Sequence, residues 1–311
     1  MEAWKSKVDV IIPTYKPDEK FDRLLRMLEK QTLKPNEIHV IDTIPTGTKT
    51  TDVTPRCAQY ANIKVTEIPQ SEFNHGGTRN MGVEMSDAEF VVMMTQDAVP
   101  TDEKMLEELI KPFQKEEVAV SFARQLATEE VGIIEHYTRV FNYPDKPLEK
   151  SKKDIDRLGI KAYFCSDVCA AYRREKYMEL GGFVTKTIFN EDTIMASKIL
   201  DAGYSVYYAA DAKVYHAHKY TGKQQFQRNF DLGVSHREYR EIFDRVKAEG
   251  EGMKLVKNTA KYLMKKGKPW LIITLIWSSG CKFLGYRFGK KYDRLPKWFV
   301  RACSSQKSYW K

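Results

Sequence analysis

Cysteine is scarce in this chain, with five residues among 311. They are Cys57, Cys165, Cys169, Cys281 and Cys303. An odd number without zinc or redox spacing does not suit a disulfide framework or a metal knuckle. The sequence therefore predicts reduced, structural thiols in a cytoplasmic protein.

Long apolar runs are also missing. The longest, residues 270–277, is far shorter than the roughly 18 residues that a membrane-spanning helix needs. No apolar run of signal-peptide length precedes the first strand pattern. We therefore expect a protein that is neither secreted nor membrane-spanning.

Acidic residues are nearly absent from the C-terminal part of the chain. Residues 253–311 contain fifteen Lys or Arg residues and one acid, Asp293, which gives this segment a net charge of +14. Since the whole chain carries +9, residues 1–252 sum to −5. The basic charge belongs to one segment, so we expect no nucleic-acid partner for the protein as a whole.

Strand and helix patterns alternate along the first hundred residues. A β-branched run typical of a strand buried on both faces occupies residues 8–12, and further strand patterns occupy residues 38–41, 63–68 and 90–94. Helical periods occupy residues 21–30 and 78–86. This alternation predicts a doubly wound α/β sheet. Further on, residues 142–161 are charged and interrupted by two prolines, which predicts a mobile loop.

Ligands of such sheets bind beyond the carboxyl ends of the strands. At those ends the sequence has Pro13, Thr14 and Tyr15, then Asp42, and then Thr95, Gln96 and Asp97. A lone carboxylate at a strand end suits Mg²⁺ or Mn²⁺, with phosphates and water as further ligands. An Asp in a turn before a proline has the same spacing, so both interpretations of Asp97 are open.

Two adjacent acids, Glu191 and Asp192, precede a helical pattern. Acids at a helix start stabilise the helix by capping and by their interaction with its dipole. Alternatively, one of the two faces a cleft and acts as a general base for an acceptor hydroxyl. The sequence alone does not choose between these roles.

His216 and His218 close a strand pattern over residues 205–215. Strand alternation would put both rings on one face, where they could ligate a metal or donate to phosphate. Histidines satisfied within a core are the alternative. Gln227 and Arg228 follow, and an arginine fork suits a diphosphate, although a solvated helix face explains them equally well.

The run Phe-Asn-His-Gly-Gly-Thr-Arg-Asn over residues 73–80 has no simple structural explanation. Two glycines followed by a hydroxyl residue and an arginine at a helix start would let backbone N–H groups approach a charged ligand closely. The run lacks the lysine of a phosphate-binding P-loop.

Taken in chain order, these motifs resemble family 2 glycosyltransferases with the GT-A fold. The run at 73–80 followed by Thr-Gln-Asp-Ala at 95–98 is similar to their rhamnosyltransferase branch. The resemblance extends over residues 7–235 and implies an α/β, Rossmann-like mixed sheet flanked by helices. It divides the chain into a catalytic domain, 1–235, and a basic amphipathic helical extension, 236–311. Within the domain, a nucleotide-sugar half covers about residues 1–100 and an acceptor half about 101–235.

The resemblance also implies roles for individual residues. Asp192, beside Glu191, would be the catalytic base. The nucleotide sugar would contact Pro13, Thr14, Tyr15, Asp42, His75, Gly76, Arg79, Asn80, Thr95, Gln96, Gln227 and Arg228. Mg²⁺ or Mn²⁺ would be held by Asp97, His216 and His218. Thr95 stands where the family has the first acid of its metal motif, and Asp42 is followed by Thr-Ile-Pro in place of an acidic turn.

The activity implied by the resemblance is an inverting sugar transfer. Asp192 would take the acceptor proton, the hydroxyl would attack C1, and the cation would stabilise the departing nucleoside diphosphate. The donor would be dTDP-β-L-rhamnose and the acceptor a lipid-linked saccharide in cell-surface polysaccharide biosynthesis. A UDP-hexose donor on the same fold and a non-catalytic membrane-associated scaffold are the alternatives.

The basic segment combines cations with aromatic residues. Its lysines 254, 257, 261 and 265 recur at helical spacing. Further anchors are the aromatic residues Trp270, Trp277, Phe283, Tyr286, Trp298 and Trp310. Such helices bind anionic lipid, with about 1 kcal/mol gained per charge close to the surface. We expect a peripheral protein at the inner face of the cell membrane. Helices packed on the catalytic domain with their lysines in water are the alternative.

Overall fold

The computed structural model describes residues 6–128, 130–246 and 250–310. These residues form two units. The first comprises the chain up to Leu126, Tyr143–Thr185 and Glu191–His216. The second comprises Ala127–Asn142, Lys186–Asn190 and the chain from Ala217 onward. A functional boundary at residue 235 stays a prediction.

A single sheet runs through the first unit and has nine strands over the described ranges. The strands are β1 Val8–Thr14, β2 Ile38–Ile44, β3 Ile63–Pro69, β4 Phe90–Met94, β5 Val99–Pro100, β6 Val118–Leu126, β7 Leu148–Lys150, β8 Cys169–Arg173 and β9 Ser205–Tyr215. Their order is β3-β2-β1-β4-β8-β6-β9-β5, and β7 pairs with β9. The first four strands of this order are parallel, whereas β8 runs antiparallel to both its neighbours. The expected mixed α/β sheet is confirmed.

Helices follow most of the strands. They are α1 Glu19–Glu29, α2 Val53–Cys57, α3 His75–Glu84, α4 Met105–Ile110, α5 Ile133–Asn142, α6 Ile155–Leu158, α7 Arg174–Glu179, α8 Glu191–Asp201, α9 Gly222–Glu238, α10 Arg240–Phe243, α11 Glu251–Lys265, α12 Leu271–Gly289 and α13 Lys297–Cys303. Short 3₁₀ helices occupy Lys111–Gln114, Lys152–Asp154, Gly159–Ala162, Tyr292–Arg294 and Lys307–Trp310.

Helix α1 shows how the local pattern builds the core of the first unit. Phe21, Leu24, Leu25 and Leu28 recur at helical spacing, and all four are fully buried. Burying each such side chain contributes roughly 1.5–3 kcal/mol. The carboxylate of Asp18 accepts a hydrogen bond from the Lys20 N–H at 2.9 Å and caps the helix. The apolar stripe thus packs α1 in the core of the first unit, and the cap marks where the helix begins.

The expectation of a mobile loop over residues 142–161 is wrong. This segment contains β7, α6 and two 3₁₀ helices. The Lys150 side chain is buried, and its ammonium donates to the carbonyl of Lys161 at 3.2 Å and to that of Phe164. A three-residue edge strand is too short to leave a periodic signal, so the charges and prolines alone were visible in the sequence.

The second unit is helical, and α9 packs closely on α12. A Cβ at Gly285 would lie 2.2 Å from the carbonyl oxygen of Phe226, and one at Gly289 would lie 2.1 Å from that of Phe230. The missing side chains therefore let the two backbones approach. Across the described ranges, no helix combines the length and the apolar character that a membrane crossing requires.

Candidate active site

The carboxyl ends of β1, β2 and β4 meet at one edge of the sheet. Thr14 pairs with Asp42 in the parallel register, and its hydroxyl donates to the Asp42 carboxylate at 2.8 Å. The backbone N–H of Tyr15 donates to the Gln96 side chain at 2.8 Å, and the Gln96 amide returns a hydrogen bond of 3.2 Å. The structure therefore brings together the polar residues that end the three strands.

Asp42 is fully buried and accepts a second hydrogen bond from the hydroxyl of Thr51. A buried carboxylate with two hydroxyl donors is held in one orientation. Thr51 was not predicted, because it lies in a loop that no periodic pattern marks. Beside this pair, Pro13 is the β1 residue that pairs with Ile41, and the ring of Tyr15 is 40% exposed. Contacts of Pro13, Tyr15 and Asp42 with a nucleoside stay predictions.

Asp97 and His216 form an acid–imidazole pair. The His216 Nε2 lies 3.7 Å from the Asp97 carboxylate, and both side chains are largely buried. The antiparallel pairing of β5 with β9, in which Val99 faces Tyr215, brings the two residues together. Two residues before Asp97, the Thr95 hydroxyl is buried without a hydrogen-bond partner among the described residues.

This donor set fits a divalent cation. Carboxylate oxygen suits Mg²⁺ and Mn²⁺ alike, but imidazole is not a typical ligand of Mg²⁺, so the pair fits Mn²⁺ better. The orphaned hydroxyl of Thr95 is a further polar atom that a bound ligand or water would satisfy. Asp97 and His216 thus offer two ligands for a cation.

His218 belongs to the second unit, where its ring lies 5.3 Å from that of Tyr220. β9 ends at Tyr215, so strand alternation does not extend to His216 and His218, and a shared face for their rings stays a prediction. Ligation by His218 stays a prediction.

Gln227 and Arg228 also belong to the second unit. The Gln227 amide donates to the carbonyls of Ala302 and Ser304, each at 3.4 Å. The Arg228 guanidinium lies over two aromatic rings, 5.5 Å from the centroid of Phe189 and 4.8 Å from that of Tyr220. These contacts anchor both side chains within their unit, and their approach to a diphosphate stays a prediction.

Arg79 lies among three carboxyl groups in the first unit. Its side chain is buried, with Nη1 3.2 Å from the carboxylate of Glu191 and Nε 3.9 Å from that of Asp167. Burial opposes the charge of the guanidinium, but the carboxylates of Glu191, Asp167 and Asp192 outweigh it and hold the pKa of Arg79 above its usual value. In this structure Arg79 neutralises acids of its own chain.

Asp192 lies beside Asp167, and its role as the general base stays a prediction. Its carboxylate accepts hydrogen bonds from the N–H of Thr193 at 2.6 Å and from that of Asp167 at 3.3 Å. Burial, followed by the negative charge of Glu191, raises the pKa of Asp192 to about 6, against the opposing effect of these N–H groups and Arg79. A carboxyl with a pKa near the working pH suits proton transfer.

Sequence reasoning did not find Asp167. Its carboxyl group is buried and accepts a hydrogen bond of 2.7 Å from the Tyr172 hydroxyl, while its Oδ2 has no hydrogen-bond partner within the described part of the chain. Burial, followed by the charge of Asp192, raises the pKa of Asp167 well above its usual value. The only available signal was an acid two residues before the buried strand β8.

The glycine-containing run forms the start of α3. Asn74 caps the helix by accepting from the Gly77 N–H at 2.8 Å, so α3 begins at His75, three residues before the predicted start. A Cβ at Gly76 would lie 2.2 Å from the carbonyl oxygen of Val184. Glycine at position 76 therefore permits close approach of another part of the same unit. Its role beside the donor, like that of His75, stays a prediction.

Asn80 is engaged by the same part of the chain. Its amide donates to the Phe183 carbonyl at 3.0 Å, and its oxygen accepts from the Phe183 N–H at 3.0 Å. The hydroxyl of Tyr177 donates to that same oxygen. These bonds make Asn80 a link between α3 and the turn before α8, and a contact with the nucleotide sugar stays a prediction.

Residues 9–181, more than half of the chain, match the family model described as Glycosyl transferase family 2. The chain belongs to this family, and it is a glycosyltransferase. It is 40% identical over 306 residues to the O-antigen chain rhamnosyltransferase RfbN of Salmonella typhimurium, covering 98% of this chain and 96% of the relative. It is 39% identical over 304 residues to the O-antigen chain rhamnosyltransferase WbaN of Salmonella anatum, covering 97% and 95%.

Solved structures share the fold at low sequence identity. The mannosyltransferase PcManGT from Pyrobaculum calidifontis, in complex with GDP-Man and Mn²⁺, superposes with a TM-score of 0.57 at 17% identity over 98% of this chain and 87% of that one. Residues 1–349 of S. aureus TarS in complex with UDP-GlcNAc superpose with a TM-score of 0.54 at 16% identity over 93% and 91%. The predictions of the family, the fold and the enzyme class are thereby confirmed.

Proposed function

We propose that this glycosyltransferase transfers L-rhamnose from dTDP-β-L-rhamnose to a saccharide acceptor during synthesis of a cell-surface polysaccharide. Identities of 40% and 39% to two O-antigen rhamnosyltransferases, over nearly the whole chain, support the sugar and the pathway. The main support for the chemistry is the state of Asp192. Its carboxyl accepts hydrogen bonds from two N–H groups and has a pKa of about 6.

In this proposal, each part of the first unit has a distinct task. The Asp192 carboxylate removes the proton of the acceptor hydroxyl, whose oxygen then attacks C1 of the donor sugar from the face opposite the diphosphate. Arg79 prevents the neighbouring acids from raising the pKa of Asp192 further, because its charge offsets theirs. Thr14, Asp42 and Gln96 form the sheet edge at which the nucleoside would lie.

A divalent cation completes the site in this proposal. Asp97 and His216 would hold it, with Mn²⁺ favoured over Mg²⁺ by the imidazole ligand, and His218 would be a third ligand. When bound, the cation offsets the charge that develops on the departing diphosphate.

A donor screen tests the proposed activity. The purified full chain is incubated with dTDP-rhamnose, UDP-glucose, UDP-galactose and GDP-mannose in the presence of Mn²⁺ and a lipid-linked saccharide extract, and released nucleoside diphosphate is measured. We expect dTDP release to exceed the others by at least an order of magnitude, since the donor pocket discriminates through hydrogen bonds. Preferred release of UDP would identify a hexosyltransferase. No release from any donor would favour a non-catalytic scaffold.

We further propose that the second unit binds the cytoplasmic face of an anionic membrane, where a lipid-linked acceptor would be located. An exposed apolar face on and before α12 supports this proposal: Trp270, Ile273, Ile276, Trp277 and Phe283 are all more than 60% exposed. Patches of this kind mark interaction sites. The net charge of +14 over residues 253–311 complements anionic lipid.

Vesicle sedimentation tests membrane binding. Replacing Ile273 and Trp277 by Asp should reduce binding to phosphatidylglycerol vesicles by an order of magnitude or more, because both apolar contacts are lost and two negative charges are added. Replacing Met178, a 45% exposed residue on α7 in the first unit, by Asp is the matched control and should leave binding unchanged. Equal binding of the variant and the control would contradict the proposal.

A further inference from the structure

Gln125, near the end of β6, connects two parts of the first unit. Its side chain is buried, with 2% exposure. The amide Nε2 donates to the hydroxyl of Ser166 at 2.8 Å, and the amide Oε1 lies 3.0 Å from Nδ1 of His216. A buried amide is thus placed between the loop that leads to Asp167 and the histidine beside Asp97.

The sheet holds this arrangement in place. The pairing of β6 with β9 shifts between Ala123 and Arg124, where one step along β6 corresponds to four residues of β9, from Ala209 to Lys213. Such irregularities redirect side chains at the ends of strands. After the shift Gln125 pairs with Val214, and the His216 N–H donates to the Leu126 carbonyl at 3.0 Å. Backbone pairing therefore fixes the distance between Gln125 and His216.

The chemistry of the amide determines which ring nitrogen of His216 carries the proton. An amide oxygen only accepts hydrogen bonds, so Nδ1 must donate to it as an N–H group. In the neutral ring the lone pair is then on Nε2, the nitrogen that lies 3.7 Å from the Asp97 carboxylate. The opposite amide orientation would reverse this, with a lone pair on Nδ1 and the proton on Nε2.

We propose that Gln125 is a positioning residue that holds His216 in the Nδ1–H tautomer and so presents the Nε2 lone pair to a divalent cation beside Asp97. This inference rests on the proposed metal role of Asp97 and His216. Residues that hydrogen-bond to a metal ligand hold that ligand in its orientation. Their loss typically reduces metal affinity about 10- to 100-fold.

The tautomer is measured first, without metal. The full chain is labelled with ¹⁵N-histidine, and the ring signals of His216 are assigned by their absence in His216→Asn. At a pH where the ring is neutral, we expect the Nδ1–H tautomer in the wild type and a mixture of tautomers in Gln125→Leu. An Nε2–H tautomer in the wild type would overturn the proposal, because it would mean the opposite amide orientation.

Mn²⁺ affinity is measured next by titration calorimetry on the full chain. Gln125→Leu should bind Mn²⁺ about 10- to 100-fold more weakly than the wild type. Gln125→Glu should stay within a few-fold, since a carboxylate also accepts the Nδ1 proton. Gln59→Leu, at an exposed position, is the matched control and should bind like the wild type.

The outcomes separate the two proposals. If the wild type binds no Mn²⁺, the metal proposal fails, and the inference that depends on it is overturned with it. If the wild type binds Mn²⁺ but Gln125→Leu retains both its affinity and the Nδ1–H tautomer, the role of Gln125 is overturned while the metal site stands. If Gln125→Leu does not fold, Gln125→Glu provides the test. Wild-type-like Mn²⁺ binding by folded Gln125→Glu would support the proposal, and weak binding would count against it.

Discussion

The backbone N–H of Asp167 donates to the carboxylate of Asp192 at 3.3 Å, so two acids 25 positions apart in the chain are neighbours in the first unit. One of them carries a carboxyl with a pKa of about 6, and the other has a pKa held well above the usual range. Their environments differ: Asp192 can exchange a proton near neutral pH, whereas burial and the charge of Asp192 favour the protonated form of Asp167.

Asp192→Asn should abolish most of the turnover. An amide cannot remove the proton of the acceptor saccharide's hydroxyl. General-base catalysis increases the rate by about 10²- to 10⁴-fold. We expect kcat to fall by that factor while donor affinity changes little, because donor binding does not require the base. Steady-state kinetics and calorimetric titration with dTDP-rhamnose measure the two quantities.

The control for this variant is Asp211→Asn, at an exposed position of β9. It should retain wild-type kcat. An Asp192→Asn enzyme that also retained wild-type kcat would remove Asp192 from the mechanism.

The pH–rate profile should show a single ionisation on its acidic side. Because burial and Glu191 raise the pKa of Asp192 to about 6, the base is unprotonated above that pH and protonated below it. We expect kcat to decrease about tenfold per pH unit below pH 6. A profile that stays flat well into the acidic range would contradict the assignment.

The same shift makes a prediction for stability. A carboxyl whose pKa is higher in the folded state contributes stability below its unfolded pKa of 3.8, and this contribution is lost as the pH rises through about 6. The amide of Asp192→Asn does not titrate and lacks this contribution at every pH. Relative to the wild type, the variant should therefore gain unfolding free energy as the pH rises through this window. Urea unfolding of both proteins at several pH values measures the difference, and a difference that is independent of pH would argue against the raised pKa.

Replacing the Asp167 carboxyl by an amide should be tolerated, whereas removing the side chain should destabilise the protein. Asp167→Asn keeps an oxygen that accepts from the Tyr172 hydroxyl and has the neutral charge that burial favours at this position, so we expect kcat within several-fold of the wild type. Asp167→Ala leaves that buried hydroxyl without its partner, at a cost of about 1–3 kcal/mol. Urea unfolding distinguishes the two variants, and equal stability would show that the hydrogen bond is unimportant.

The α9–α12 contact predicts an asymmetry between glycines of one helix. Gly285→Ala places a Cβ 2.2 Å from the Phe226 carbonyl oxygen, and overpacking of this kind costs about 1–3 kcal/mol. Gly280→Ala, on the same helix with no atom within 4 Å of its Cβ among the described residues, should be neutral or stabilising by up to about 1 kcal/mol. Thermal unfolding that ranks the two variants in the opposite order would contradict the packing described for α12.

The sequence alone determined the fold class and the family, because both can be recognised from patterns that span only a few consecutive residues. β-Branched runs and helical periods express burial within a few residues of chain, and the motifs at 13–15, 73–80 and 95–97 are contiguous. The proximity of the residues that end β1, β2 and β4 could also be predicted, since parallel neighbouring strands end at the same edge of a sheet.

Only the tertiary structure decided which distant side chains meet. The contacts of Asp167 with Asp192, of Thr51 with Asp42 and of Gln125 with His216 depend on how the chain returns to the sheet, and no periodic signal marks them. The pKa of a carboxyl depends in turn on burial and on neighbouring charges, which exist only in the folded chain.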